Sequence, residues 1–207
     1  MAALEAASAA RQPRPMPRVV FVTHPEVVID PKVPIPQWPL SEIGRARMAA
    51  FAETLSARDV TAVWSSDERK AMDGAEIVAA RLGVPHRTDP GLGENNRSAT
   101  GYLPPPEFWD VVAAFFARPD ESVRGWETAR AAQARIVDAV SRLVRLEPTG
   151  GDIVVVSHGG VGRLLMARLQ GVEIGAEDRP QHPGGGSWLE IDRERLAVEQ
   201  SWRDIAD

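Results

Sequence analysis

The 207-residue chain is 43% apolar and 26% charged, with a formal net charge of −5, a balance that suits a globular domain with a substantial core. The acidic balance provides no field for nucleic acid. The absence of cysteine excludes disulfides, thiolate zinc sites and cysteine nucleophiles, and no apolar run approaches the roughly 18 residues that span a bilayer. A cysteine-free chain fits a reducing compartment, so a cytoplasmic location is expected, with no membrane partner.

Residues 1–17, MAALEAASAARQPRPMP, are rich in Ala, Arg and Pro and lack the unbroken apolar centre of a secretory signal. They read as a flexible leader, and one folded domain is expected over 18–207. RVVFVT at 18–23 is a short β-branched run of the kind buried on both faces of a sheet. The proline-rich EVVIDPKVPIPQWP then predicts an irregular loop. Helical spacing resumes in LSEIGRARMAAFAETL, with Ser41 as N-cap. VTAVWSS from Val60 is a second strand, and DERKAMDGAEIVAARLG a helix stopped by Gly83. VPHR is a short strand and GENNRSATGYLPPP a long polar loop. Helices are expected over 107–117 and 126–146, and DIVVVS is a third clear strand. GGVGRLLMARLQ opens a helix with glycines at its mouth, and SWLEID and LAVEQSW alternate like the arms of a hairpin. Strands alternating with helices predict a three-layer α/β/α fold, with a mostly parallel central sheet and helices on both faces.

In such a sheet, ligands collect outside the carboxyl ends of the strands. His24, Ser65–Ser66 and His158 all fall there. A single histidine at a strand end is ordinarily a hydrogen-bonded structural residue. Here two of the four histidines stand in nearly the same phrase, RVVFVTHP and IVVVSHGG. His86, beside Pro85, and His182, in RPQHPGGG, read as structural and loop residues. Three chemistries compete. A metal held by His24, His158 and a carboxylate lacks any tight ligand spacing. A serine elbow at Ser157 lacks its first glycine, which is Val155 here. Histidine attack on a phosphoryl group, helped by the glycine-fronted helix after His158, is the third.

Three segments carry a family resemblance, which covers residues 18 to about 170. SHGGVGRLL resembles the second-histidine motif of the histidine phosphatase (phosphoglycerate mutase-like) superfamily. WSSDERKAMDGAEIVAARLG resembles its S-S-x-x-x-R-A-x-x-T-A helix, and LSEIGRARMAAFAETL its L-T-x-x-G helix. The resemblance implies that neutral His24 attacks phosphorus in line and forms a phosphohistidine. It also implies that His158 and nearby donors hold the non-bridging oxygens. By position in the loop, Glu94 is the acid that protonates the leaving oxygen. No metal or cofactor is called for. The partner implied is a phosphorylated small molecule or a phosphoprotein.

The chain departs from the family pattern at the site itself. Where the family has R-H-G, this chain has Thr23-His24-Pro25. Threonine contributes one hydroxyl but no charge and no fork. Proline has no N–H for a phosphate and biases His24 towards extended backbone. Lys70 stands at the family's helix arginine, with Arg69 just before it, about 100° around the helix, and Gly74 replaces a threonine. The expected phosphate-binding set is therefore Thr23, Lys70, Arg69, Arg97 and Gly159. Arg97, three residues after Glu94, is the candidate for the missing guanidinium. Arg163 reads equally well as a helix-surface residue. Trp38 and Tyr102, in the two long loops, are either packing residues or flanks for an aromatic or sugar group. An active phosphatase is the leading reading. A catalytically impaired relative that binds a phosphorylated or other anionic ligand, or a protein partner, is the alternative. Phosphoglycerate mutase activity comes last, since a mutase must grip a second anion. Oligomeric state is not legible in the sequence.

Overall fold

The structure is a computed structural model that describes residues 16–147, 150–180 and 185–207. Most of the predicted leader, and His182, lie outside these residues. The elements in order are β1 (Arg18–Thr23), α1 (Glu42–Thr54), β2 (Val60–Ser65), α2 (Arg69–Leu82) and β3 (His86–Thr88). They continue with α3 (Glu107–Ala117), α4 (Ala129–Leu146), β4 (Asp152–Ser157), α5 (Gly159–Gln170), β5 (Ser187–Asp192) and β6 (Ala197–Asp204).

The strands form one six-stranded sheet in the order β3-β2-β4-β1-β5-β6. β3, β2, β4 and β1 run parallel, and β5 and β6 close the far side as an antiparallel hairpin. In the central strands β1 and β4 only the first residues, Arg18 and Asp152, are partly exposed, and Val19 to Val22 and Ile153 to Val156 are all buried. Their near-continuous apolar sequence follows, because both faces need covering. Val19 and Phe21 point into a core shared with α3, α4 and α5, whereas Val20 and Val22 point into one shared with α1 and α2. Helices thus cover both faces of a mixed, mainly parallel sheet, giving the expected three-layer α/β/α architecture.

Local chemistry sets the helix ends. The Ser41 hydroxyl accepts the Gly44 N–H at 3.1 Å and caps α1. Gly44 is required by close approach, since a Cβ there would overlap the backbone carbonyl oxygen of Glu26. Gly83 ends α2 at φ 67°, in the left-handed region. α4 starts at Ala129, three residues later than the periodicity predicts. Trp126 is extended and buried, its indole N–H donates to Thr100 Oγ1 at 2.9 Å, and Thr128 takes the capping role. α2 starts at Arg69 rather than Asp67, with Glu68 at the N-cap in extended conformation and its side chain making no cap bond. That small difference frees the Glu68 carboxylate to turn inward.

Candidate active site

The pairing of β1 with β4 builds the site. The two strands run in parallel with Thr23 opposite Ser157, and the ladder extends one step further as the His24 N–H donates to Ser157 O at 3.0 Å. His24 and His158 therefore emerge side by side at the carboxyl end of the sheet. Their rings meet edge to face, with centroids 5.2 Å apart and planes inclined by 69°.

The ring nitrogens have separate assignments. His24 Nδ1 lies 2.8 Å from Pro25 O. A carbonyl only accepts, so Nδ1 carries the proton and Nε2 of the neutral ring keeps its lone pair. Burial pushes the His24 pKa down to about 3, and the neighbouring His158 and Lys70 push the same way, against the Pro25 carbonyl and Glu68. His24 is thus a neutral imidazole at physiological pH with one nitrogen free to attack. His158 is fully buried. Its Nε2 lies 2.8 Å from Ser66 Oγ and 3.3 Å from Glu68 Oε1, while its Nδ1 has no hydrogen-bond partner. Burial lowers its pKa, partly offset by Glu68 and Glu94.

Glu68 joins the two halves of the site. Its Oε1 also accepts the Glu94 N–H at 2.9 Å, and its other oxygen is ion-paired with Lys70. Burial opposes its charge, but His158 and Lys70 outweigh burial and hold it well below the usual carboxylate range. Lys70 is itself buried and donates also to Ile35 O at 3.0 Å, in the loop after β1. Lys70 is therefore already engaged by an internal carboxylate.

Glu94 reaches the start of α5. Its carboxylate accepts the N–H groups of Gly160 and Val161, both at 3.0 Å, and of Asn95 at 3.0 Å. Arg97 Nη2 lies 3.3 Å away. Burial opposes ionisation, but Arg97, His158 and the Asn95 N–H together hold Glu94 below the ordinary range. An anion at a helix N-terminus is favourable, and here the protein's own carboxylate takes that position. It also fixes Gly160, where a Cβ would stand 2.5 Å from Glu94 Oε1. As placed, Glu94 is an ionised cap at the start of α5. Arg97 is stacked 5.3 Å from the Phe108 ring centroid and 5.4 Å from that of Trp126. Beside these groups opens a cleft of about 1050 Å³, bordered by Glu68, Glu94, Asn95 and Arg97. The histidines do not line it.

Other predicted residues are placed elsewhere. The Thr23 hydroxyl accepts the Ser187 N–H at 3.0 Å and ties β1 to β5 inside the sheet. The Arg69 guanidinium is exposed and pairs with Asp73 at 2.7 Å. Arg69 is thus already ion-paired, whereas the Thr23 hydroxyl, which only accepts in its bond to Ser187, keeps its own hydrogen to donate. Arg163 pairs with the buried Glu177 at 2.6 Å and lies over Phe116. His86 bonds Ser65 Oγ at 2.9 Å. Trp38 is buried, pins its own loop through Asp30 O and Val33 O, and packs on Tyr102 with ring centroids 5.8 Å apart. Gly159 begins α5, and a Cβ there would meet nothing within 4 Å, so the backbone borders open space beside His158. Among the described residues no cluster of three or more His, Asp or Glu side chains is arranged to hold a metal. No helix among them is long and apolar enough to cross a membrane.

Residues 35–204 match the model of the histidine phosphatase superfamily, branch 1. The chain belongs to the histidine phosphatase superfamily. The superfamily match begins after Thr23-His24-Pro25, so the strand register rather than the match locates the first histidine. Glucosyl-3-phosphoglycerate phosphatase of Mycobacterium tuberculosis is 29% identical over 163 residues, 73% of each chain. A probable phosphoglycerate mutase of Yersinia pestis is 29% identical over 154 residues, 68% of this chain and 67% of its own. Among solved structures, native mycobacterial glucosyl-3-phosphoglycerate phosphatase superposes with a TM-score of 0.74 at 25% identity, covering 89% of this chain and 97% of that one. Its complex with inorganic phosphate gives 0.71 at 27% identity, covering 89% and 95%. In the SHGG and LSEIG segments, Glu94 is seated on Gly160 and the Glu26 carbonyl lies against Gly44. Glu68 was not singled out from sequence, because at a helix start it reads as a solvated charge. Asn95 and Arg135, far apart in sequence, gave no signal.

Proposed function

We propose that this chain is a phosphomonoesterase that works through a phosphohistidine on His24 Nε2, with a phosphorylated small molecule as substrate. The observation that carries this reading is the pairing of a neutral His24, its Nδ1 proton committed to Pro25 O, with His158 at 5.2 Å. The free lone pair is the nucleophile, and attack in line on phosphorus forms the N–P bond as the ester oxygen leaves. The relatives with phosphatase names, and the one solved with inorganic phosphate, support the substrate class.

In this reading the phosphoryl group arrives between the histidines, Lys70 and the open backbone at Gly159. Its negative charge raises the proton affinity of each group around it. Arg97 then has two anions to choose between. A move of its guanidinium from Glu94 to the phosphoryl oxygens supplies the fork that Thr23 does not. The same move removes the charge that keeps Glu94 ionised and lets that carboxyl carry the proton the leaving oxygen needs.

The test is incubation with an aryl phosphate, quenching in base, and mass spectrometry of the peptide containing His24. A phosphohistidine on His24, with turnover lost in His24→Ala, is the expected result. Turnover that survives His24→Ala refutes the nucleophile. Phosphate binding with neither adduct nor turnover moves the chain to the alternative, a non-catalytic binder.

A further inference from the structure

The His24 main chain is held on both sides. Its N–H donates to Ser157 O at 3.0 Å, and its carbonyl accepts the Gly186 N–H at 3.1 Å, from the segment that leads into β5. The next two carbonyls are also tied, Pro25 O to the His24 ring at 2.8 Å and Glu26 O to the Ser41 N–H at 2.9 Å. The contact with β5 depends on two glycines. Gly185 and Gly186 have left-handed backbone, with φ of 75° and 72°, and a Cβ on Gly185 would stand 2.4 Å from His24 O.

One side chain joins these pieces from behind. Arg47, on α1, is largely buried. Its Nη1 donates to Glu26 Oε1 at 2.8 Å and to Gly185 O at 3.2 Å, and its Nη2 donates to Asp204 Oδ1, on β6, at 2.8 Å. The acceptors come from the loop after β1, the segment before β5 and the end of β6. A planar guanidinium that bridges separate segments fixes their relative positions, which a single exposed ion pair does not. Its packing points the same way, since a Cβ on Gly186 would stand 3.0 Å from Arg47 Nη2. The guanidinium therefore rests on the glycine whose N–H bonds His24 O. Arg47 does not line the cleft.

We infer that Arg47 is a positioning residue for the nucleophile: it clamps the loop after β1 onto Gly185 and Gly186 and so keeps the Pro25 carbonyl on His24 Nδ1. That carbonyl decides where the ring proton sits. With it in place, Nδ1 carries the proton and Nε2 keeps the lone pair. With it displaced, the proton is free to sit on Nε2, where it blocks attack. The inference rests on the phosphatase reading for the use of that lone pair, but the tautomer is measurable without turnover.

The experiment is nitrogen NMR of the isotopically labelled His24 ring at neutral pH, assigned by its loss in His24→Ala, on the full chain and on Arg47→Met. The methionine keeps the stem and removes the fork. The parent should show the Nδ1–H form alone and Arg47→Met a mixture of the two tautomers. Single-turnover phosphorylation by an aryl phosphate should slow by about tenfold or more, the scale of a small misplacement of a reacting group. The Kd of inorganic phosphate should change by less than about threefold, since Arg47 stands outside the cleft. Arg47→Lys should recover part of both the tautomer and the rate. An Arg47→Met chain with the parent's tautomer overturns the inference, whatever its rate, and so does a mixed tautomer with an unchanged rate. Loss of phosphate affinity as large as the loss of rate also overturns it, since that is general damage to the site. If Arg47→Met does not fold, Glu26→Ala, which cuts only the link from Arg47 to the loop, is read in the same way, and an unmoved tautomer there overturns the inference. If the parent forms no phosphoenzyme, the phosphatase reading has failed, and the tautomer shift alone sustains or overturns the role of Arg47.

Discussion

Thr23 lies directly opposite Ser157 in the parallel β1–β4 ladder, and this one register places two imidazoles at a common end of the sheet. A shift of one residue would send alternate side chains to the opposite face. It would break both cores, since Val20 and Val22 pack with α1 and α2 while Phe21 packs with α5. The packing that makes the fold stable is thus the same packing that aligns the histidines. Removing either ring should leave the fold in place and remove the chemistry. His24→Ala is expected to abolish phosphoenzyme formation. His158→Ala, which removes one group facing the phosphoryl charge, is expected to lower kcat by about 10² to 10³. Single-turnover kinetics with unchanged circular dichroism checks both.

The low pKa of His24, about 3, makes a prediction about acid. The unfolded chain titrates this histidine near 6.5. Between those two values the unfolded state binds a proton that the folded state does not, so stability falls as pH drops through 6.5 towards 3. The contribution is at most about 1.4 kcal/mol for each pH unit. His24→Ala should therefore lose less thermal stability than the parent between pH 7 and 5. In the parent, the burst of phosphoenzyme from an aryl phosphate, whose leaving group needs no acid, should persist over the same range. A burst that collapses with a midpoint near 6.5 would show that the ring is protonated in the folded protein.

Arg97 is expected to be the residue that most affects phosphate affinity. Arg97→Ala should weaken inorganic phosphate by about tenfold or more, the scale of a charge-assisted, forked contact. Arg97→Lys should recover only part of it, since an ammonium keeps the charge without the fork. Calorimetry on the three proteins decides this, and an Arg97→Ala chain with full affinity would sink the substitution of Arg97 for the missing arginine.

Much of this could be read in the sequence for physical reasons that are easy to name. β1 and β4 declare themselves because strands buried on both faces must be apolar throughout, and Ser41 and Gly83 mark helix ends through backbone chemistry that few residues perform. The gathering of His24, His158, Lys70, Glu94 and Arg97 follows from strand ends, the first turn of α2 and one loop. What was hidden depends on side-chain direction. The Thr23 hydroxyl accepts the Ser187 N–H and so ties β1 to β5, and Arg69 turns to Asp73. Glu68 becomes a site residue only because α2 starts after it, leaving an N-cap side chain free to turn to His158.

The L-S-x-x-G segment carries a stability prediction. Gly44 stands where a Cβ would overlap the Glu26 carbonyl oxygen. That carbonyl also accepts the Ser41 N–H at 2.9 Å, so neither partner can retreat without loosening the start of α1. Gly44→Ala is expected to cost about 1–3 kcal/mol, the usual penalty of overpacking. Its gain in helix propensity, about 1 kcal/mol, is included in that range. Denaturant titration checks it, and a Gly44→Ala protein as stable as the parent would show that the loop after β1 yields easily.

Glu68 provides the sharpest test of how the site balances its charges. Its carboxylate holds Lys70 on one oxygen and His158 on the other, so it both neutralises a cation that faces the phosphoryl group and favours a protonated His158. Glu68→Gln keeps the shape and removes the charge. Lys70 then has no anion except the ligand, and inorganic phosphate should bind about tenfold more tightly. His158 loses the neighbour that supports its imidazolium, so kcat should fall as product release and transition-state stabilisation both suffer. Tighter product inhibition together with slower turnover is an outcome that simple damage to the fold would not produce, because a disordered site loses both. If Glu68→Gln instead weakens phosphate and leaves kcat unchanged, the carboxylate is only a brace for the Glu94 N–H, and the charge balance drawn around it is wrong.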